Sequence, residues 1–126
     1  MAKVLGIGGV FFKTMPNETQ SWLADNLGIE KGEGFDGALF KWKSEDGARD
    51  HATVLGLFDQ DTTYFEPSPH PFMLNFIVDD LDAMLNQLRE KGANVHDRTD
   101  EMEGLGRFGW VDGPGGLKIE LWEPAG

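Results

Sequence analysis

The chain has 126 residues and no cysteine, with 22 acidic against 11 basic side chains and a formal net charge of −11. That length suits one domain with a core of its own, and the lack of cysteine excludes disulfides, iron–sulfur clusters and thiolate-held zinc. The acidic balance, with no cluster of Lys and Arg to replace counterions, excludes nucleic acid and anionic membrane surfaces as partners.

Val4 to Lys13 is apolar and β-rich, and it ends where Pro16 blocks further pairing. Glycines interrupt the segment and only Lys3 precedes it, so it lacks the basic stretch and continuous apolar core of a secretion signal. No segment approaches the ~20 apolar residues of a membrane span. The expectation is a soluble, cytoplasmic protein. A helix is predicted from Pro16 or Asn17 to Leu27, with Trp22, Leu23 and Leu27 as its apolar face and Gly28 as its C-terminal stop. Gly37 to Lys43 and Ala52 to Phe58 read as strands around a polar turn from Ser44 to Asp50. Residues 59–71, with Pro67, Pro69 and Pro71, read as a linker. Phe72 to Val78 is then a strand, and Asp79-Asp80 caps a helix whose Leu81, Met84, Leu85 and Leu88 share one face until Gly92. Short strands follow near Asn94 to Asp97, Arg107 to Asp112 and Leu117 to Trp122.

The order strand, helix, strands thus occurs twice, about residues 4–58 and 72–124 of a single 1–126 domain. Such a repeat predicts an α+β fold of two βαβββ modules rather than a doubly wound sheet. Two G-x-G-x-x-G stretches, Gly32 to Gly37 and Gly104 to Gly109, lead into strands. A dinucleotide site needs that pattern to open a helix, so both are read as bends. His51, His70 and His96 form no ligand motif and are assigned to surface loops. With no cysteine and no Gly-x-Ser-x-Gly elbow, a nucleophilic triad has no support.

The segment Asp112-Gly113-Pro114-Gly115-Gly116-Leu117-Lys118-Ile119-Glu120-Leu121-Trp122-Glu123-Pro124 is the most specific feature. It resembles the closing hairpin of the glyoxalase/bleomycin resistance/dioxygenase (vicinal oxygen chelate) superfamily, with an extra glycine in the turn. Met73 to Leu81 and Leu5 to Thr14 are similar to the starts of that family's two modules. The resemblance implies a curved mixed sheet around a cavity, helices outside, and a homodimer. It also implies four metal-ligand positions, which fall on Gly9, Gly56, Met73 and Glu120. Only Glu120 is a ligand type for a hard divalent ion, so the expected metal set and cofactor are none.

Strand alternation places Ile7, Gly9 and Phe11, Val54, Gly56 and Phe58, Met73, Asn75 and Ile77, and Lys118, Glu120 and Trp122 on the concave side. Phe11, Phe58, Met73, Asn75, Trp122 and Glu120 are therefore the expected ligand-binding residues, with Asn75 and Glu120 as polar handles. Glycine at positions 9 and 56 leaves room for a ligand. Glu120 is the one candidate for a catalytic base, for anchoring a cation, or for a remnant ion pair with Lys118 or Arg107. The expected function is metal-independent binding of a small aromatic or cationic molecule. The alternative is a metal-dependent lyase, isomerase or dioxygenase, and a third reading is a protein-binding scaffold with Tyr64-Phe65 on an exposed loop.

Overall fold

The two strands that open the repeats, β1 (Val4–Thr14) and β4 (Phe72–Val78), pair antiparallel in the middle of one seven-stranded mixed sheet. The computed structural model describes all 126 residues. Its remaining elements are α1 (Pro16–Leu27), β2 (Gly37–Lys43), β3 (Asp50–Asp59), α2 (Leu81–Glu90), β5 (Asn94–Met102), β6 (Gly106–Asp112) and β7 (Lys118–Pro124). The strand order is β2-β3-β1-β4-β7-β6-β5, an open, curved sheet in the α+β class. β1 runs parallel to β3 and β4 parallel to β7, so each half repeats the other's pairing.

The first half contributes three strands and the second four. After β3 the chain enters the proline-bearing segment, whose rings cannot donate to a ladder. Residues 60–71 instead fold back as a strap toward the β6–β7 turn. His70 Nε2 lies 2.9 Å from the Gly115 carbonyl. The strap also carries Phe65 into the interior at 1% exposure, so Tyr64-Phe65 is not an exposed loop and the scaffold reading loses its surface.

The helices differ in what they bury. Asp80 caps α2 by accepting from the Ala83 N–H, and α2 packs Leu81 and Leu85 against Val78, Val111 and Leu121. Gly28 ends α1 in the left-handed conformation, as expected. However, α1 buries no residue at all, and Trp22 and Leu27 stand 57% and 61% exposed. Two of the three residues of its predicted apolar face meet solvent, and Leu23 is half-buried. Two histidines also depart from the surface-loop assignment: His51 is buried in β3 beside Trp42, and His96 lies in β5 bonded to Asp112. No helix is long and apolar enough to cross a membrane.

Candidate functional site

Register places the concave residues in rows across the sheet. Val54, Gly9, Asn75, Glu120 and Trp110 stand side by side on β3, β1, β4, β7 and β6. The row above holds Gly56, Phe11 and Met73, and the row below holds Gly6, Ile77, Trp122 and Phe108. The predicted ligand positions therefore straddle two rows, Gly9 and Glu120 in one, Gly56 and Met73 in the next.

Ile7 is the exception to the predicted facing. Between Ile7 and Gly9 the β1–β4 register shifts by one, so Ile7 pairs with Phe76 on the helix side and is 47% exposed. One extra residue in a strand reverses every side chain beyond it. That residue is Gly8, and the local geometry requires glycine. A Cβ there would lie 2.2 Å from Asn75 Oδ1 and 2.9 Å from Trp122 Cε3.

Glu120 is 3% exposed and no cation neutralises it directly. Burying a carboxylate is costly unless hydrogen bonds replace its water. Three donors do so: the Tyr64 hydroxyl donates to Oε2, Trp110 Nε1 donates to the same oxygen at 3.0 Å, and Asn75 Nδ2 donates to Oε1 at 2.7 Å. The remnant pairing with Arg107 or Lys118 is not formed. Arg107 binds Asp82 on α2, and Lys118 Nζ donates to the Tyr64 carbonyl at 2.7 Å while lying over the Tyr64 and Trp110 rings. Burial pushes the Tyr64 phenol well above its ordinary value, and the adjacent Glu120 carboxylate pushes it further the same way. Burial also lowers the Lys118 ammonium below the usual lysine range.

These groups border a chamber of about 210 Å³ lined by Phe11, Val54, Tyr64, Asn75, Phe108, Trp110, Glu120 and Trp122, with Gly8 at its base. Met102 and Leu105 flank it, and Asp100 reaches it while held by Arg98. Phe108 and Trp122 stack at 5.8 Å and 10°. Of the predicted ligand contacts, Phe11, Asn75, Glu120 and Trp122 line the chamber. Met73 is fully buried against Phe11, Phe65 and Trp110, and Phe58 stacks behind Tyr64, so neither reaches the chamber. Val54 was expected on the concave face but not as a ligand contact, and Tyr64, Phe108 and Trp110 are the aromatic lining residues that the sequence reading did not place there, beside Gly8, Asp100, Met102 and Leu105. Counting back across the β6–β7 turn from Glu120 would have found Trp110, its direct partner. Nothing local marks Tyr64, because the strap's return path is a tertiary feature.

The space expected above Gly9 and Gly56 is filled. A Cβ on Gly9 would lie 2.6 Å from Phe11 Cζ, and one on Gly56 would lie 2.6 Å from Phe11 Cδ1. The Phe11 ring covers both positions. No three His, Asp or Glu side chains converge anywhere in a metal-holding group. Glycine, glycine, thioether and one carboxylate already engaged by three donors do not fit a hard divalent ion.

Residues 11–121 match the family model described as Glyoxalase/Bleomycin resistance protein/Dioxygenase superfamily. No curated protein matches the chain. Similar solved structures include methylmalonyl-CoA epimerase from Mycobacterium tuberculosis, 21% identical with a TM-score of 0.55 over 98% of this chain and 90% of that one. A Mn(II)-bound glyoxalase from Novosphingobium aromaticivorans is 21% identical, with a TM-score of 0.59 over 98% of this chain and 40% of that one. A glyoxalase/bleomycin resistance protein/dioxygenase superfamily member from Vibrio splendidus 12B01 is 14% identical, with a TM-score of 0.56 over 99% and 100%. At these identities the likeness is one of fold.

Proposed function

The chain belongs to the glyoxalase/bleomycin resistance protein/dioxygenase superfamily, and from that premise we propose that it is a metal-independent protein that binds a small aromatic or aliphatic molecule beside Glu120. The observation that carries this reading is the double occupation of the family's ligand positions. Phe11 fills the space over Gly9 and Gly56, and Tyr64, Trp110 and Asn75 engage the carboxylate of Glu120. Glu120 then serves as a hub that orients three chamber walls, rather than as a base or a metal ligand. A cationic ligand is the weaker choice, since Glu120 is already engaged and Asp100 is held by Arg98. The chamber's volume of about 210 Å³ lies below the roughly 300–1,000 Å³ of drug-sized pockets, which suits a single ring or a short chain. We propose a homodimer as well, the state that the family resemblance implies.

Elemental analysis of protein purified without chelator tests the metal-independent part. The expected content is below about a tenth of an equivalent of Mn, Fe, Ni or Zn, because a bound structural or catalytic ion would persist near stoichiometry. Near-stoichiometric metal that disappears in Glu120→Gln would overturn the reading. Phenol is expected to raise the melting temperature by preferential binding to the folded state.

A further inference from the structure

The hydrogen-bonding groups around the chamber beside Glu120 are unevenly used. Four side-chain atoms of its walls can donate, and each already has an acceptor. The Tyr64 hydroxyl, Trp110 Nε1 and Asn75 Nδ2 donate to Glu120, and Trp122 Nε1 donates to the Leu105 carbonyl at 2.8 Å. One hydrogen of the Asn75 amide is the donor capacity left over. Acceptors remain in greater supply. A carboxylate offers about four lone-pair sites on its two oxygens, and Glu120 Oε1 receives one donor where Oε2 receives two. Asn75 Oδ1 receives none, although Asn75 is 1% exposed.

The direction of the Asn75 carbonyl follows from its neighbour. Asn75 and Glu120 are direct partners across the parallel β4–β7 pair. An ionised carboxylate accepts and never donates, so the amide nitrogen of Asn75 faces Glu120 and the carbonyl oxygen faces away, toward β1. On β1 it meets Gly8, the bulge residue at the base of the chamber, where an added Cβ would lie 2.2 Å from Oδ1. The unpaired oxygen thus lies at the chamber floor, next to the underused side of Glu120. Buried polar atoms are seldom left unpaired. At the other end the half-exposed Met102 and Leu105 flank the chamber and offer only apolar contact from their side chains.

We propose that the bound molecule is a neutral hydrogen-bond donor, a single ring or short chain whose hydroxyl or amino group donates to the acceptor pair Glu120 Oε1 and Asn75 Oδ1, with its apolar body toward Met102 and Leu105. This rests on the small-molecule reading above and adds the chemical class of the ligand. A carbonyl, ether or carboxylate group placed at the floor meets lone pairs rather than donors. The surroundings also select the neutral form. Burial and the Glu120 carboxylate hold the Tyr64 phenol protonated, and they oppose an anionic ligand in the same way. Lys118 already supplies a positive charge that interacts with Glu120, which leaves less to offset the cost of burying a second cation.

Calorimetric titration of the intact protein at neutral pH with phenol, aniline, toluene, benzaldehyde and benzylamine tests it. These probes share one ring and differ in what the substituent donates. Phenol and aniline are expected to bind about tenfold tighter than toluene, the low end for a hydrogen bond to a charged acceptor. Benzaldehyde, which only accepts, and benzylamine, which enters as a cation, are expected to bind no better than toluene. The side-chain carbonyl carbon resonance of Asn75 is expected to move further downfield with phenol than with toluene, which has the same ring and donates nothing. Toluene, benzaldehyde or benzylamine binding as tightly as phenol, or equal Asn75 shifts with phenol and toluene, overturns the donor assignment and leaves the chamber as a small-molecule site. If none of the five binds, the small-molecule reading itself falls.

Discussion

Tyr64 is the only tyrosine in the chain, so its ionisation can be followed directly. In an unfolded chain the phenol titrates near 10.0, and in the folded protein burial and the Glu120 carboxylate hold the proton to higher pH. The folded state therefore carries the additional proton above pH 10, and stability falls as the pH rises further. Native protein is expected to show no tyrosinate absorbance at pH values where the urea-unfolded chain already absorbs fully. Coincident titration of the two states would show that Tyr64 does not reach Glu120. Tyr64→Phe removes a hydrogen bond to a charged group, and a loss of about 1.5–3 kcal/mol in urea unfolding is expected. At this scale the sequence was legible where strands are regular. Asn75, Glu120 and Trp122 followed from counting by twos along β4 and β7. Phe58 and Met73 also lie on the concave-facing register, but packing against Tyr64 and Phe65 seals them off. Alternation states which way a side chain points, and not what covers it.

Gly8 shows what limited legibility for the elements. The ends of β2, β4 and α1 are written in local signals, proline, polar turns and the αL glycine at 28, and those elements formed where they were expected. A bulge is set by the pairing of β1 with β4, which no local pattern contains, so Ile7 was assigned to the wrong face. The helices teach the same lesson. Both carry apolar residues at helical spacing, yet only α2 fully buries any of them. Leu85→Ala is accordingly expected to lower the unfolding free energy by about 2–5 kcal/mol through a core cavity. Leu27→Ala, at the exposed end of α1, is expected to change it by less than about 0.5 kcal/mol. Urea denaturation at high dilution measures both. A Leu27→Ala cost comparable to that of Leu85→Ala would mean that α1 is covered within the monomer.

At the scale of the molecule, the two halves share a plan but not a finish. The second half closes its outer face with α2, whereas Ile7, Met15, Trp22, Leu27 and Phe40 of the first half remain exposed. Aromatic and aliphatic side chains left in water on one half are the raw material of an interface, and a second copy of the chain is the occupant that the proposed homodimer supplies. Electrostatics opposes it, because each copy carries a net charge of −11. Association driven by apolar burial against like-charge repulsion should tighten as salt shortens the Debye length from ~30 Å at 0.01 M to ~8 Å at 0.15 M. Sedimentation equilibrium is expected to give a mass near twice 14.0 kDa, with a dissociation constant that falls as salt is added. Trp22→Lys should weaken the dimer by about thirtyfold, the loss of one aromatic anchor, while α2 and the chamber beside Glu120 stay intact. A 14.0 kDa species at every concentration and salt would leave the first half's apolar surface without a partner of its own kind.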